Sequence, residues 1–478
     1  MKIRTRFAPS PTGFLHVGGL RTALYAYLYA KKNNGDFILR IEDTDQARYV
    51  EGAVELIYST LRDAGLIYSE GPDIGGQYGP YIQSLRKLDY LKYAKILVEQ
   101  GDAYYCFCSK ERLEELKEQG ATKYDKHCLS LSAVEVEQKL ASGVPYVIRQ
   151  NIKKGVSTYT DLVFGEITID NDELEDNILI KADGLPTYNF ANVVDDHLMN
   201  ITCVMRGNEY LSSTPKYNLL YDAFGWERPI YIHLPQIMKD AQHKLSKRFG
   251  SVSYADFINQ GFINKAILNY VALLGWSPKN NQEKMSLEEM VELFSVEGIS
   301  RSNAIFDLDK MRWLNSLYIK ELPFDEFLRS ATTWLDKSCA YNKYNYALLA
   351  KLIQGRIETY EDIIEKVAFL DEFTEYDLAL FTNIKQKTSI ELARQILPQV
   401  LEVIINLEET EFVNDALYSS LSALAEQVGI KKGQLFWVTR VALTGRESTP
   451  GGATELAELL GKTSSIARIK FSIDLLNK

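Results

Sequence analysis

The segment Ala8-Pro9-Ser10-Pro11-Thr12-Gly13-Phe14-Leu15-His16-Val17-Gly18-Gly19 constrains the fold of this chain more tightly than any other. A short apolar strand, Ile3 to Phe7, leads into it, and a helix leads out with Leu20, Ala23, Leu24, Tyr27 and Leu28 at helical spacing. Pro9 and Pro11 hold the backbone rigid, while Gly13, Gly18 and Gly19 let a bulky group approach it closely. A helix that starts directly after a strand presents unpaired N–H groups and partial positive charge, which favour phosphate. His16 adds a donor at that point. The competing reading is a strand–turn–helix whose glycines serve packing alone, and spacing does not separate the two.

The pattern continues downstream. Phe37 to Glu42 reads as a second, buried strand, Asp43-Thr44-Asp45 supplies capping residues, and a helix follows from about Val50 to Ala64. This βαβ order predicts an α/β fold with a doubly wound, Rossmann-type parallel sheet and ligands at the carboxyl ends of its strands. Ile74 to Pro80 is a turn-rich linker and Gln83 to Gln100 a long helix. From about Tyr104 to Ile180 the pattern breaks into short strands and charged helices. The sheet is expected to resume with Ile178 to Lys181 and Thr187 to His197. Ile201 to Met205 follows, ending at Arg206-Gly207-Asn208-Glu209, and then Ile230 to Leu234. Helices rich in Leu and Ile run to about Leu322. From Pro323 onward the periodicity is helical, as in Tyr346–Ile357, Ile390–Leu407 and Leu417–Val428, without the short alternating strands of a barrel.

Composition matters chiefly for partners and compartment. The 478 residues allow two to four domains. A net charge of −10 and a pI near 5.3 argue against nucleic acid, although a local basic groove is compatible with both. Lys431, Lys432, Arg440, Arg446, Lys462, Arg468 and Lys470 make the C-terminal end locally basic. Five cysteines in so long a chain do not suggest a disulfide scaffold. Met1-Lys2-Ile3-Arg4 opens no apolar leader, and no apolar run reaches membrane-spanning length. The expectation is a cytoplasmic protein with no membrane partner.

Pro9-Ser10-Pro11-Thr12-Gly13-Phe14-Leu15-His16-Val17-Gly18-Gly19 resembles the first signature of the class I aminoacyl-tRNA synthetases in its glutamyl/glutaminyl form. Lys244-Leu245-Ser246-Lys247-Arg248 is similar to the second, and the two stand in the family's order. The resemblance covers essentially all 478 residues, and the helical C-terminus is similar to the bacterial glutamyl branch rather than to the barrel-ended glutaminyl one. It implies a class I catalytic region at 1–322, with an acceptor-binding insertion at about 80–186 and stem-contact helices at about 240–322. An all-α anticodon-binding region at 323–478 completes the implied chain, which is expected to be a monomer. The implied reaction joins L-glutamate to tRNA(Glu). ATP, with Mg2+, activates glutamate to an adenylate, and the terminal ribose of the tRNA then takes the glutamyl group. No covalent enzyme intermediate is needed, so catalysis is positioning and charge stabilisation.

The same resemblance implies roles residue by residue. For ATP it points to Pro9, Ser10, His16, Gly18, Gly19, Lys244, Leu245, Ser246, Lys247 and Arg248, with His16, Lys244 and Lys247 catalytic. The general signature has a second histidine where Gly19 stands, and many relatives carry histidine in place of Phe249. For glutamate it points to Arg6, Ser10, Glu42, Tyr188, Asn192 and Arg206. Glu42 has the right sign for the α-ammonium, and the guanidiniums of Arg6 and Arg206 are forks suited to carboxylates. Arg48 resembles a position near the tRNA acceptor end, and Arg356, on a predicted helix, is a candidate base reader. Both also read as ordinary surface charges. Cys106, Cys108 and Cys128 are candidate Zn2+ ligands, with Tyr124, by resemblance to close relatives, as the better fourth ligand ahead of His127, and Ser130 where some relatives have histidine. Three reduced, partly buried thiols are the alternative. A glutaminyl enzyme, a shorter relative that glutamylates a tRNA base, a nucleotidylyltransferase and a synthetase-like tRNA binder share parts of this pattern. Arg206 with the helical C-terminus, the length of residues 323–478, and the presence of His16, Lys244 and Lys247 count against them.

Overall fold

In the computed structural model, β1 (Arg4–Phe7) pairs in parallel with β2 (Asp36–Leu39), Arg4 against Asp36 through Phe7 against Leu39. The crossover between them is α1 (Val17–Lys32), which buries Leu20, Ala23, Leu24 and Leu28 at the spacing read from the sequence. Residues 2–245, 253–371 and 373–478 are described. They divide into two units, Met1–Ile258 with Asn264–Leu308, and Asn259–Ile263 with Asp309–Lys478.

In the first unit, α2 (Ala53–Asp63) and α3 (Lys87–Gln100) lie close to their expected positions. Next come β3 (Ala103–Cys106), α4 (Lys110–Glu118), α5 (Ala133–Ala141), β4 (Val147–Gln150), β5 (Val156–Asp161), β6 (Gly165–Asp170) and β7 (Ile178–Ile180). Strands β3, β4 and β7 form a separate antiparallel sheet. The β5–β6 hairpin, inside the span expected for the insertion, instead joins the parallel strands that follow. Those are β8 (Cys203–Gly207) and β9 (Ile230–Leu234), separated by α7 (Thr214–Phe224), and the order is β6-β5-β9-β8. The pairs β5–β9 and β8–β9 are parallel. The Thr202 N–H donates to the Arg4 carbonyl, tying β1 to the entrance of β8.

Two sheet expectations are corrected. Residues 178–181 do not resume the parallel sheet, because β7 pairs antiparallel with β4 in the separate sheet. Residues 187–197 are not a strand: α6 (Tyr188–Leu198) occupies them, with Thr187 at its N-cap and Phe190, Ala191, Val193 and Val194 buried. A helix embedded on nearly every side shows the same apolar run as a buried strand, so periodicity cannot distinguish them.

The second unit is helical, as expected. Its helices include Phe324–Leu335, Tyr346–Ile353, Ile390–Asn406, Asn414–Gln427, Lys432–Thr444 and Lys462–Asn477. They enclose a core of Phe327, Leu349, Leu397, Val400, Leu421 and Leu435. No described helix is long and apolar enough to cross a membrane.

Candidate active site

The Pro-rich segment closes on itself before α1 begins. Thr12 N–H donates to the Ser10 carbonyl, and the Pro9 and Pro11 carbonyls accept from the N–H groups of Glu42 and Val50. The segment is thereby fastened to the chain beyond β2. His16 is the N-cap of α1, and its Nδ1 accepts the Gly18 N–H at 3.2 Å. That bond fixes the tautomer with hydrogen on Nε2, so the ring presents a donor beside the helix N-terminus, where anions are favoured. A Cβ on Gly19 would meet Leu15 Cδ1 at 2.8 Å, so Leu15 would have to move to admit a side chain.

The chain is described on both sides of the second signature segment. Lys244 is exposed and bridges Met238 in β10 (Ile237–Met238), and the Leu245 N–H donates to the Ile237 carbonyl. The Leu245 side chain is buried, so it anchors this stretch. On the far side, Ser253 bridges His16. Ser246, Lys247, Arg248 and Phe249 lie outside the described residues.

A cavity of about 460 Å³ opens beside α1. Arg6, Ser10, Gly19, Glu42, Arg48, Tyr188 and Arg206 line it, together with Thr44, Asp45 and Tyr210. Five of the six expected glutamate ligands thus meet in one space. Asn192 is not among the lining residues; it is buried one turn along α6, and its amide donates to the Tyr188 carbonyl at 2.7 Å. Arg206 is the fourth residue of β8 rather than a residue beyond the strand.

Behind the cavity lies a buried charge network that the sequence reading did not single out. Arg40 is completely buried, donating to Asp196 Oδ1 at 2.7 Å and to Glu42 Oε1 at 2.9 Å. Arg6 Nε donates to Asp196 Oδ1 at 3.1 Å, and Arg86 Nε to Asp195 Oδ1 at 2.7 Å. Gln83 and Tyr90 complete the shell of Asp195. Three guanidiniums therefore face three carboxylates. Burial opposes the charge on Asp196, yet Arg6 and Arg40 hold its carboxyl below the usual range. Burial pushes Glu42 and Asp195 upward despite their arginine neighbours. The available signal was Arg40 itself, a charge inside the apolar run Phe37-Ile38-Leu39-Arg40-Ile41, since a buried charge needs partners.

Arg206 has a different shell. Its Nε donates to His233 Nε2 at 3.1 Å, its Nη2 to Thr214 Oγ1 at 2.7 Å, and no carboxylate among the described residues pairs with it. A buried guanidinium without a carboxylate partner, with Glu42 lining the same cavity, can hold a small molecule bearing both a carboxylate and an ammonium group.

In the β3–β4–β7 region the three thiol sulfurs of Cys106, Cys108 and Cys128 lie within 4.8 Å of one another. The Tyr124 hydroxyl is 3.3 Å from the sulfurs of Cys106 and Cys108, and it accepts the Cys128 N–H at 3.1 Å. The Phe107 N–H donates to the Cys128 sulfur at 3.3 Å. Tetrahedral zinc with thiolate bonds of about 2.3 Å would need donor atoms roughly 3.8 Å apart, so this donor set has a suitable size. His127 is exposed and outside the group.

In the second unit, Arg356 lies in the turn after the helix Tyr346–Ile353 rather than on it. It lines a cavity of about 510 Å³ with Lys366, Phe369, Arg446 and Thr449. Arg468, expected as a phosphate contact, is buried instead and donates to the carbonyls of Phe369 and Leu443 at 2.9 Å.

A parallel sheet carrying a Pro-Gly-rich helix start, a cavity beside that start lined by Arg6, Glu42 and Arg206, and a separate helical unit together define a class of enzyme. The chain belongs to the class I tRNA synthetases: residues 2–313 match the family "tRNA synthetases class I (E and Q), catalytic domain", and residues 325–473 match "Anticodon binding domain". Within that class it is 55% identical over 481 residues to the Glutamate–tRNA ligase of Clostridium botulinum (strain Eklund 17B / Type B), covering 99% of each chain. It is 54% identical to that of Clostridium novyi (strain NT), covering 100% of this chain and 99% of that one. A solved glutamate tRNA ligase from Elizabethkingia meningosepticum, in complex with its amino acid, superposes with a TM-score of 0.88 at 34% identity, covering 99% of each chain.

Proposed function

We propose that this chain is a glutamate–tRNA ligase, which activates L-glutamate with ATP and transfers it to the terminal ribose of tRNA(Glu). The observation that carries the reading is the convergence of Arg6, Glu42, Tyr188 and Arg206 in one cavity that also reaches α1 at Gly19. In this reading Glu42 takes the α-ammonium and Arg206 the side-chain carboxylate of glutamate, with Arg6 and Ser10 near the other carboxylate. Mg2+ arrives with ATP. His16 and the first turn of α1 face the phosphates, and Lys244 and Lys247 bring point charges to the triphosphate. Arg48, at the same cavity, is a candidate contact for the acceptor end, and Arg356 a candidate anticodon contact in the region 323–478.

The thiol group with Tyr124 is read as a zinc site that stiffens the proposed acceptor-binding insertion. Zinc there would act as a structural cross-link and take no part in the chemistry. The test of the reading is charging of tRNA by the full chain with labelled glutamate, alongside ATP–pyrophosphate exchange with and without tRNA. Glutamate-dependent charging is expected, with exchange that depends on tRNA. A chain that charges tRNA with another amino acid, or with none, would refute the proposal.

A further inference from the structure

Of the three arginines that line the cavity, Arg6 and Arg206 are buried, and these two are held in opposite ways. Arg6 is tied to a carboxylate, Asp196. Arg206 is tied to an imidazole and a hydroxyl. The difference traces to β5 and β9, two strands whose side chains do not themselves line the cavity. His233 lies in β9 directly opposite Arg206 in the parallel register, and Asp161 ends β5 beside it. Both are fully buried.

Asp161 has no freedom to turn. Its Oδ1 accepts the N–H groups of Val163 and Phe164 at 2.9 and 2.8 Å. Its Oδ2 accepts the His233 N–H at 3.0 Å and lies 2.7 Å from His233 Nδ1. All four contacts require the carboxylate to accept, so His233 carries its hydrogen on Nδ1 and turns the Nε2 lone pair to the Arg206 Nε–H. Thr214 Oγ1 gives its hydrogen to the Tyr210 carbonyl and accepts from Arg206 Nη2. The Nε–Nη2 edge of the guanidinium is thereby occupied by protein. The other side of the guanidinium faces the cavity beside the Tyr188 hydroxyl, where a carboxylate can meet it. The rings of Tyr210, Tyr217 and Tyr231 stand 5.0, 4.7 and 5.7 Å from the guanidinium carbon and wall it in.

We propose that His233, locked by Asp161, is a positioning residue that aims Arg206 at the side-chain carboxylate of the amino acid and so sets the preference for an acidic substrate. The proposal rests on the glutamate reading given above. A neutral acceptor orients the guanidinium without placing a counter-ion directly on it, so the charge remains available to the substrate. A carboxylate in the place of His233 would aim Arg206 equally well but would compete with the substrate for it.

The test is steady-state charging of tRNA by the full chain with glutamate and with glutamine, for wild type, His233→Leu, His233→Gln and Asp161→Asn. His233→Leu leaves the Arg206 Nε–H without its acceptor. Asp161→Asn cannot accept from all four donors: with its oxygen on the Val163 and Phe164 N–H groups, its NH2 faces the His233 N–H and Nδ1, and only the imidazole can relieve this, by taking the other tautomer and turning a hydrogen toward Arg206. Both variants are expected to raise the glutamate KM by roughly ten- to hundredfold. They should also narrow the glutamate/glutamine ratio of kcat/KM, with the ATP KM unchanged. His233→Gln, whose amide oxygen can accept the Nε–H, is expected to recover most of the glutamate affinity.

A folded His233→Leu with wild-type glutamate KM and ratio overturns the proposal. So does a His233→Gln as impaired as His233→Leu, since the site would then need only bulk. Should His233→Leu fail to fold, Asp161→Asn decides, and an unchanged glutamate KM there refutes the positioning role. A wild type that does not charge tRNA with glutamate removes the functional reading itself, a result distinct from active wild type with indifferent variants.

Discussion

At the scale of single residues, the site turns on which charges are already paired. Arg6, Arg40 and Arg86 are matched inside the protein by Glu42, Asp195 and Asp196, whereas the direct partners of Arg206 among the described residues are neutral. Glutamate and glutamine are nearly isosteric, so the discriminating contact must sense charge, and a guanidinium has donors and no acceptor. Arg206→Gln is expected to lose most glutamate activation, at a cost of about 3–5 kcal/mol, and to shrink the glutamate/glutamine preference by orders of magnitude. Arg6→Gln should instead lower stability, because it strips a partner from buried Asp196. Comparing melting temperature with the kcat/KM ratio in the two variants separates these outcomes; an unchanged ratio in folded Arg206→Gln would exclude Arg206 as the specificity residue. Lys247 concerns the other substrate. Lys247→Ala is expected to slow single-turnover adenylate formation roughly a hundred- to thousandfold, with little change in glutamate binding, because its charge is needed on the departing pyrophosphate. Near-normal activation by that variant would remove Lys247 from the chemistry.

At the scale of elements, what was legible in the sequence depended on how exposed each element is. The helix α3 and the long helices Ile390–Asn406 and Asn414–Gln427 keep an exposed face, so their periods could be read, whereas the mostly buried unit from β1 to α1 was marked by the Pro-Gly-rich segment between them. In α6 the run Phe190-Ala191-Asn192-Val193-Val194 is buried at every position and ends in two β-branched valines, and it passed for a strand. The cavity residues were legible because they cluster at strand ends around a recognisable segment. Their support was not: Asp161 and His233 are far apart in the chain and meet only through the β5–β9 pairing. The thiol cluster is an element-scale case in the opposite sense, since Cys106 at the end of β3 and Cys128 beyond α4 were legible as a group. Protein purified without chelators is expected to carry about one zinc per chain, lost in Cys106→Ser and Cys128→Ser. Those variants should impair tRNA charging more than glutamate binding. Metal analysis that finds no zinc would leave three reduced thiols around Tyr124.

At the scale of the whole molecule, the two units divide the work between separate cores. Every residue of the proposed glutamate site belongs to the first unit, and the cavity at Arg356 belongs to the second. The chain is acidic overall, so tRNA affinity must come from particular basic residues rather than from a general field. Arg468, fully committed to carbonyls of its own unit, cannot be one of them without unfolding its surroundings. This division predicts that damage to the second core reaches tRNA but not glutamate. Leu397 is completely buried among the helices of that unit. Leu397→Ala removes its packing and leaves a cavity, at a cost of about 2–5 kcal/mol. The expected outcome is a lower melting temperature and a raised KM for tRNA, with the glutamate KM measured at saturating tRNA unchanged. A Leu397→Ala protein that loses glutamate affinity at saturating tRNA to the same degree as tRNA affinity would show that the glutamate site draws on the second core, and the division of labour would fall.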